Sequence, residues 1–297
     1  MRRRRLAWVV FLVGCGGRGD PSGVPATPSA SPGLELASED YGRARLGFRT
    51  TLNRHGPSPQ PEPFPETPAG SIAIAYRSAG RELSAFVTPD PGDGVRRPAV
   101  LFLHGGFAFG GGDWAMTRPF AEAGFAVMVP LLRGENGQGG DFSLFHDEVD
   151  DVLAAADRLA ALPYVDPGRL FVAGHSAGGT LTLLAAMASP RFRAASAFSG
   201  SPDQVVYTQD RPERTPFDPR DIREVRMRSP VAFARSFRCP TRLYHGEDEF
   251  WVEGSSVMTA ERAKGGGLDV EAVPVPGDHF SSVPEAIRRA IAFFRGR

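Results

Sequence analysis

From residue 71 onward the chain alternates short, nearly continuous apolar runs with longer stretches in which apolar residues recur at helical spacing. The runs at residues 99–103, 125–129, 170–173, 194–198, 241–244 and 270–275 predict strands buried on both faces. Two earlier runs, 72–76 and 83–87, flank a turn at Ser78, Ala79, Gly80 and Arg81 and predict an antiparallel pair. Between the later runs, residues 144–162 carry Phe145, Val149, Val152, Leu153, Ala156 and Leu159 on one helical face. A last helix turns Ile287, Ala290, Ile291 and Phe294 inward. Strands alternating with helices predict an α/β fold with a mostly parallel sheet and helices on both faces. The charged, proline-dense segment 201–237 interrupts this rhythm and reads either as a solvated excursion between strands or as a small lid over their ends.

The first 70 residues follow a different pattern. Met1 is followed by four arginines, an apolar stretch over residues 6–13, and a glycine before Cys15. That stretch is far too short to span about 30 Å of hydrocarbon, and a charged front with a small-residue end is the form of a secretory signal. Residues 12–15, LVGC, resemble the lipobox of bacterial lipoproteins. The resemblance implies removal of residues 1–14 as a signal peptide, lipidation of Cys15, and anchoring to a bacterial membrane on its periplasmic or cell-surface side. An ordinary signal peptide or a basic amphipathic tail is the alternative. Residues 15–34 comprise the cysteine and a Gly/Pro/Ser-rich tether, since so few apolar side chains cannot repay the entropy of ordering. The Arg18-Gly19-Asp20 tripeptide within it is read as chance. Residues 35–70, with Tyr41, Leu46, Phe48 and Leu52 and a second proline-rich run, are expected to lie over the surface of the core formed by 71–297.

The chain has 297 residues, 41% of them hydrophobic and 23% charged, which fits one large globular domain with tails. Its 34 basic and 34 acidic side chains balance, so no field gathers phosphates and nucleic acid is excluded as a partner. Cys15 and Cys239 are too few for a disulfide framework or an all-cysteine zinc site, and no metal or cofactor is expected. Cys239, just before an apolar run, reads as an inert core thiol.

The chemistry concentrates at residues 174–179, GHSAGG, between the apolar strand RLFVA and the helical stretch TLTLLAAMA. A G-x-S-x-G motif in that setting is a nucleophile elbow. The turn at Ser176 is strained, its glycine neighbours pack against adjoining backbone, and the helix start offers free N–H groups to an oxygen gaining charge. Ser176 is the expected nucleophile. Of six histidines, His55, His104, His146, His175 and His245 precede the last strand or sit in the elbow itself. His279 alone follows that strand, where the order serine, acid, histidine requires the base. The acid is expected after the strand ending at Tyr244, where Glu247, Asp248 and Glu249 compete and Asp203 is a weaker candidate. At 104–107, HGGF ends another strand, and the backbone of Gly105, Gly106 and Phe107 is expected to complete an oxyanion and substrate-binding site with Ala177.

Taken together, HGGF at 104, LLRGENGQGGDF at 131, LPYVDPGRLFVAGHSAGG at 162, SPVAF at 229, HGEDEFWV at 245 and GDHF at 277 resemble the catalytic domain of the prolyl oligopeptidase family of α/β-hydrolases. The resemblance covers about residues 71–297 and carries Ser176 over as nucleophile and His279 as base. The family's HG-x-x-D-x-x-V spacing puts the acid at Glu249, with Val252 matching the valine, whereas Asp248 has the customary chemistry one place early. Residues before Ser71 are too few for the β-propeller of the larger peptidases. The implied activity is that of a serine hydrolase cleaving a small ester, amide or short peptide through an acyl-enzyme. Alternatives are an oligopeptidase or aminopeptidase specifically, or a non-catalytic lipoprotein retaining the fold.

Overall fold

The computed structural model describes residues 34–297. The expected signal peptide, the lipobox with Cys15, and nearly all of the tether lie outside the described residues. Within them, the strands are β1 (Ile72–Ser78), β2 (Arg81–Val87), β3 (Arg97–Leu103), β4 (Ala126–Pro130), β5 (Val165–His175), β6 (Ala194–Phe198), β7 (Thr241–Gly246) and β8 (Val270–Val275). They form one eight-stranded sheet in the order β1-β2-β4-β3-β5-β6-β7-β8. β1 and β2 pair antiparallel from Ile72↔Val87 to Ser78↔Arg81, and β2 joins β4 antiparallel. From β4 to β8 every neighbour is parallel.

Alternation along the central strands divides the interior into two cores, as a sheet covered on both faces requires. Leu101 and Leu103 of β3 face one way, into the core built with α3 (Glu148–Ala160), α4 (Ala177–Ala188) and α7 (Phe250–Lys264). Val100 and Phe102 face the other way, toward α2 (Asp113–Glu122) and α8 (Val283–Arg295). There the Phe171 and Phe294 rings stack with centroids 4.6 Å apart. The burial pushes the Cys239 thiol up to about 12, which keeps it protonated and unreactive.

Two expectations need correction, and one of two open readings falls. The helix expected over 144–162 begins only at Glu148, because Leu144 and Phe145 adopt left-handed φ values of 54° and 70°. Their side chains still reach the core, and Ser143 ends the irregular turn by accepting the Asp147 N–H through Oγ at 2.7 Å. Second, the residues before β1 do more than overlie the core. Tyr41, in α1 (Tyr41–Gly47), is fully buried against Phe233, and its N–H donates to Ser236 Oγ. Third, segment 201–237 is not a solvated excursion. It folds into α5 (Val205–Asp210), α6 (Ile222–Met227) and two 3₁₀ turns, and it buries Phe217, Val225, Met227, Val231 and Phe233.

Arg228 holds this segment to its surroundings. Fully buried, it meets Glu224 Oε2 at 2.7 Å, donates to the Ser143 carbonyl and to Thr50 Oγ1, and lies 3.9 Å from the centre of the Phe217 ring. Glu224 in turn accepts from the Thr51 N–H and the Thr50 hydroxyl. One ion pair thus joins the N-terminal segment, the turn before α3 and α6. Removing one member strands a buried charge, which costs about 3–5 kcal/mol. Arg228→Ala is therefore expected to lower urea-unfolding stability by about that amount, and the double variant Arg228→Met/Glu224→Gln is expected to recover most of it. A loss under about 1 kcal/mol in the single variant would contradict this account.

Candidate active site

The strand β5 runs into α4 through Ser176, whose backbone sits at φ 55°, ψ −118°, a conformation costly for any residue with a Cβ. It is held there by its own N–H on the Phe198 carbonyl and by glycines on every side that must stay small. A methyl group on Gly178 would overlap the carbonyl oxygens of Leu103 and His104, and one on Gly179 would lie 2.8 Å from Gly200 Cα. The turn therefore presents the serine hydroxyl outward at the C-terminal edge of the sheet.

His279 Nε2 lies 3.0 Å from Ser176 Oγ, and its Nδ1 lies 2.6 Å from Glu249 Oε1. An ionised carboxylate can only accept, so Nδ1 carries the proton and Nε2 is left to accept from the serine. Glu249 is 0% exposed and immediately precedes α7. Its second oxygen accepts the Gly246 N–H at 2.7 Å and the Ser199 hydroxyl. Burial raises the carboxyl's pKa, but the bonds from His279, Ser199 and Gly246 outweigh it and hold Glu249 below its ordinary range.

Asp248, the alternative acid, is not brought into this group. Its backbone N–H bonds the Gly277 carbonyl, which turns its side chain to solvent on the rim; Glu247 is exposed as well. Asp203 is also elsewhere, its carboxylate accepting the Val205 N–H at the start of α5. Four of the remaining histidines have other partners: His55 meets Asp141, His104 meets Glu135, His146 meets Asp147, and His245 faces the Gly246 carbonyl. The fifth, His175, donates from Nε2 to the His279 carbonyl at 2.8 Å. Burial holds its pKa below the usual histidine range, so it stays a neutral prop for the loop that carries His279.

The strand end at 104–107 lies beside the elbow. A methyl group on Gly105 would sit 3.6 Å from Ser176 Cβ, and Gly106 has a left-handed φ of 66°. Neither the Gly106 N–H nor the Ala177 N–H is engaged by another group among the described residues. Phe107 departs from expectation as an oxyanion donor. Its N–H is committed to Gln60 Oε1 at 3.1 Å, and its ring packs inward on Phe142 and Phe145. Behind the loop, the buried His104–Glu135 pair, 3.0 Å apart, fixes its base. Burial opposes the imidazolium, yet the Glu135 charge wins and raises His104 to about 9. Gln60 and Ser199 are residues of this region that the sequence does not mark, and His175, set aside as a base, supports the His279 loop. Among the described residues no cluster of His, Cys, Asp and Glu could hold a metal ion.

A histidine between a hydroxyl and a buried carboxylate can deprotonate that hydroxyl as it attacks a carbonyl, and two idle N–H groups beside it can receive an oxyanion. Comparison with known proteins finds peptidases and esterases. The chain is 26% identical over 202 residues to the uncharacterised peptidase YtmA of Bacillus subtilis, a match covering 63% of this chain and 76% of that one. A puromycin-hydrolysing peptidase of Mycobacterium tuberculosis superposes with a TM-score of 0.66 at 25% identity, over 76% of this chain and 39% of the other. This chain thus spans well under half of that peptidase. An esterase from the planctomycete Thermogutta terrifontis superposes with a TM-score of 0.61 at 22% identity, over 78% of this chain and 94% of the esterase, which is a likeness of fold. Residues 113–293, more than half of the chain, match the prolyl oligopeptidase family. With the α/β-hydrolase sheet around this serine, the chain belongs to the prolyl oligopeptidase family and is a serine hydrolase of ester or peptide bonds.

Proposed function

We propose that this hydrolase cleaves a small ester, amide or short peptide through an acyl-enzyme on Ser176, with His279 as general base and Glu249 as the orienting acid. The observation that carries the reading is the unbroken path from Ser176 Oγ through both nitrogens of His279 to the buried Glu249 carboxylate. His279 Nε2 takes the serine proton as Oγ attacks the scissile carbonyl, and the imidazolium so formed is stabilised by Glu249. The tetrahedral oxyanion is received by the Ala177 and Gly106 N–H groups, at about 3 kcal/mol per donor. His279 then protonates the leaving group, and water repeats the sequence to release the acid and free Ser176.

The membrane attachment is a separate proposal, resting on the LVGC sequence at 12–15 and the basic residues before it. In this reading Cys15 carries the lipid and residues 16–33 tether the hydrolase to the periplasmic or outer face of a bacterial membrane.

Three outcomes test these readings. Ser176→Ala is expected to lower kcat by about 10⁶-fold and to abolish labelling by a fluorophosphonate probe while the unfolding midpoint stays near that of the parent. A variant retaining a tenth of the activity would remove the acyl-enzyme. Glu249→Gln should cost roughly 10⁴-fold in kcat, because the amide no longer fixes the imidazole tautomer, whereas the exposed Asp248→Asn should change kcat less than about twofold. The reverse ranking would assign the acid to Asp248. Cys15→Ser is expected to shift the protein from the membrane fraction to the soluble fraction of the bacterial host, and unchanged partition would refute the lipid anchor.

A further inference from the structure

Two short helices outside the sheet carry large apolar side chains that are left open. Leu46 in α1 is 83% exposed, and Ile222 at the start of α6 is 54% exposed. Basic side chains share their faces. Arg43 stands three residues before Leu46 and Arg226 four after Ile222, spacings that set each pair side by side on its helix. The two helices touch. They and residues 37–39 enclose a cavity of about 400 Å³, lined by Phe48, Met227 and Phe233 and by Glu39, Arg223 and Arg226.

Arg223 is satisfied locally, donating from two nitrogens to Asp221. Arg226 is not. Its Nε is shielded from solvent without a hydrogen-bond partner, and its guanidinium pairs with no carboxylate among the described residues. A shielded cationic donor left unpaired is costly, and an anion in the cavity would complete it. The face also lies where the described chain starts, since the lining begins three residues after Leu34 and residues 1–33 precede that point. It stands apart from the nucleophile. A methyl group on Gly42 would lie 3.3 Å from the carbonyl oxygen of Ala188, which ends α4, whereas Ser176 precedes the first residue of that helix. The length of α4 puts about 18 Å between its two ends.

We propose that the face formed by α1 and α6 seats the protein on an anionic lipid bilayer, with Leu46 and Ile222 entering the acyl boundary and a lipid phosphate in the cavity completing Arg226. Open apolar side chains beside an unpaired guanidinium match a surface that offers hydrocarbon and phosphate together, and a free anion would leave Leu46 and Ile222 in water. The inference goes beyond the hydrolytic reading. From the lipid-anchor reading it takes only the tether, which brings this face to the membrane. A headgroup contact of this size gives marginal, salt-sensitive binding alone and holds firmly only beside a second signal.

The test uses the full chain carrying Cys15→Ser, purified from whichever cell fraction holds it, and co-sedimentation with vesicles. Mixed phosphatidylglycerol and phosphatidylcholine vesicles are expected to bind it at low salt and release it at high salt, and vesicles of phosphatidylcholine alone to bind it less. Arg226→Gln should lower partition onto the mixed vesicles by about fivefold, and Leu46→Gln by a similar factor. Arg118→Gln removes the same charge from α2, which packs on the opposite side of the sheet from α1, and should change partition less than about twofold. Turnover of a water-soluble p-nitrophenyl ester should stay within about twofold in all three. Absence of binding to either vesicle overturns the proposal, and so does an equal loss with Arg118→Gln, which would leave only net charge. Equal binding to both vesicles would remove the phosphate and overturn it too. A rise in the unfolding midpoint with glycerol 1-phosphate, without vesicle binding, would make the cavity a small-anion site instead. Failure of the anchor reading shows separately, as a Cys15→Ser chain that stays in the membrane fraction through a high-salt wash.

Discussion

The architecture depends on a place where no side chain fits. Where β5 meets α4, Gly174 lies under the Gly178 carbonyl, Gly178 against the end of β3, and Gly179 against Gly200 beyond β6. A Cβ at any of these would force backbone against backbone, so the helix would have to stand off and the sheet could not close on it. The strained conformation of Ser176 persists because these contacts over-determine it. With α4 so close, the unengaged Ala177 N–H follows directly on the serine, and the loop after β3 comes near enough to put Gly105 beside Ser176 Cβ. A single steric condition therefore sets the serine and brings the loop after β3 beside it.

The second requirement is a carboxylate that stays charged while wholly out of water. Glu249 meets it with three donors, from His279, Gly246 and Ser199, which replace the solvent it has lost. Gly246 is placed for this by the end of β7, and Ser199 by the end of β6, where its φ of 51° lets its own N–H reach the Tyr244 carbonyl. Asp248, one residue earlier, is exposed, and its N–H bonds the Gly277 carbonyl.

What could be read from the sequence follows from how local each signal is. The eight strands are legible because each contains a short apolar run, and β6 and β8 begin and end where the apolar residues do. The expectation that all the later runs are buried on both faces fails at β8, an edge strand that is mostly half-buried, and β5 extends from Val165 to His175, well beyond its run at 170–173. Ser176 is legible because its glycines are adjacent in the chain, and His279 because strand order constrains it. Glu249 against Asp248 turned on a single residue of loop register, which periodicity does not encode. Ser199 and Gln60 left no trace at all: a serine after a strand and a glutamine among prolines look the same whether solvated or bonded to a residue 50 or 47 positions away. The helix start at Glu148 was misplaced for a related reason, since Leu144 and Phe145 keep helical spacing in their apolar character while their backbone leaves the helical region.

The hydrogen bonds that close the molecule span very long stretches of chain. Tyr41 reaches Ser236 across 195 positions, Arg262 reaches the Leu34 carbonyl across 228, and His279 reaches Ser176 across 103. Bringing such distant segments together is entropically slow compared with forming local turns. His279 lies beyond β8, so the serine and its base belong to opposite ends of the parallel part of the sheet's chain order. The reactive group is therefore a report on the whole fold: any opening that lifts the segment after β8 from the elbow separates base from nucleophile, and hydrolysis is lost before the sheet itself is.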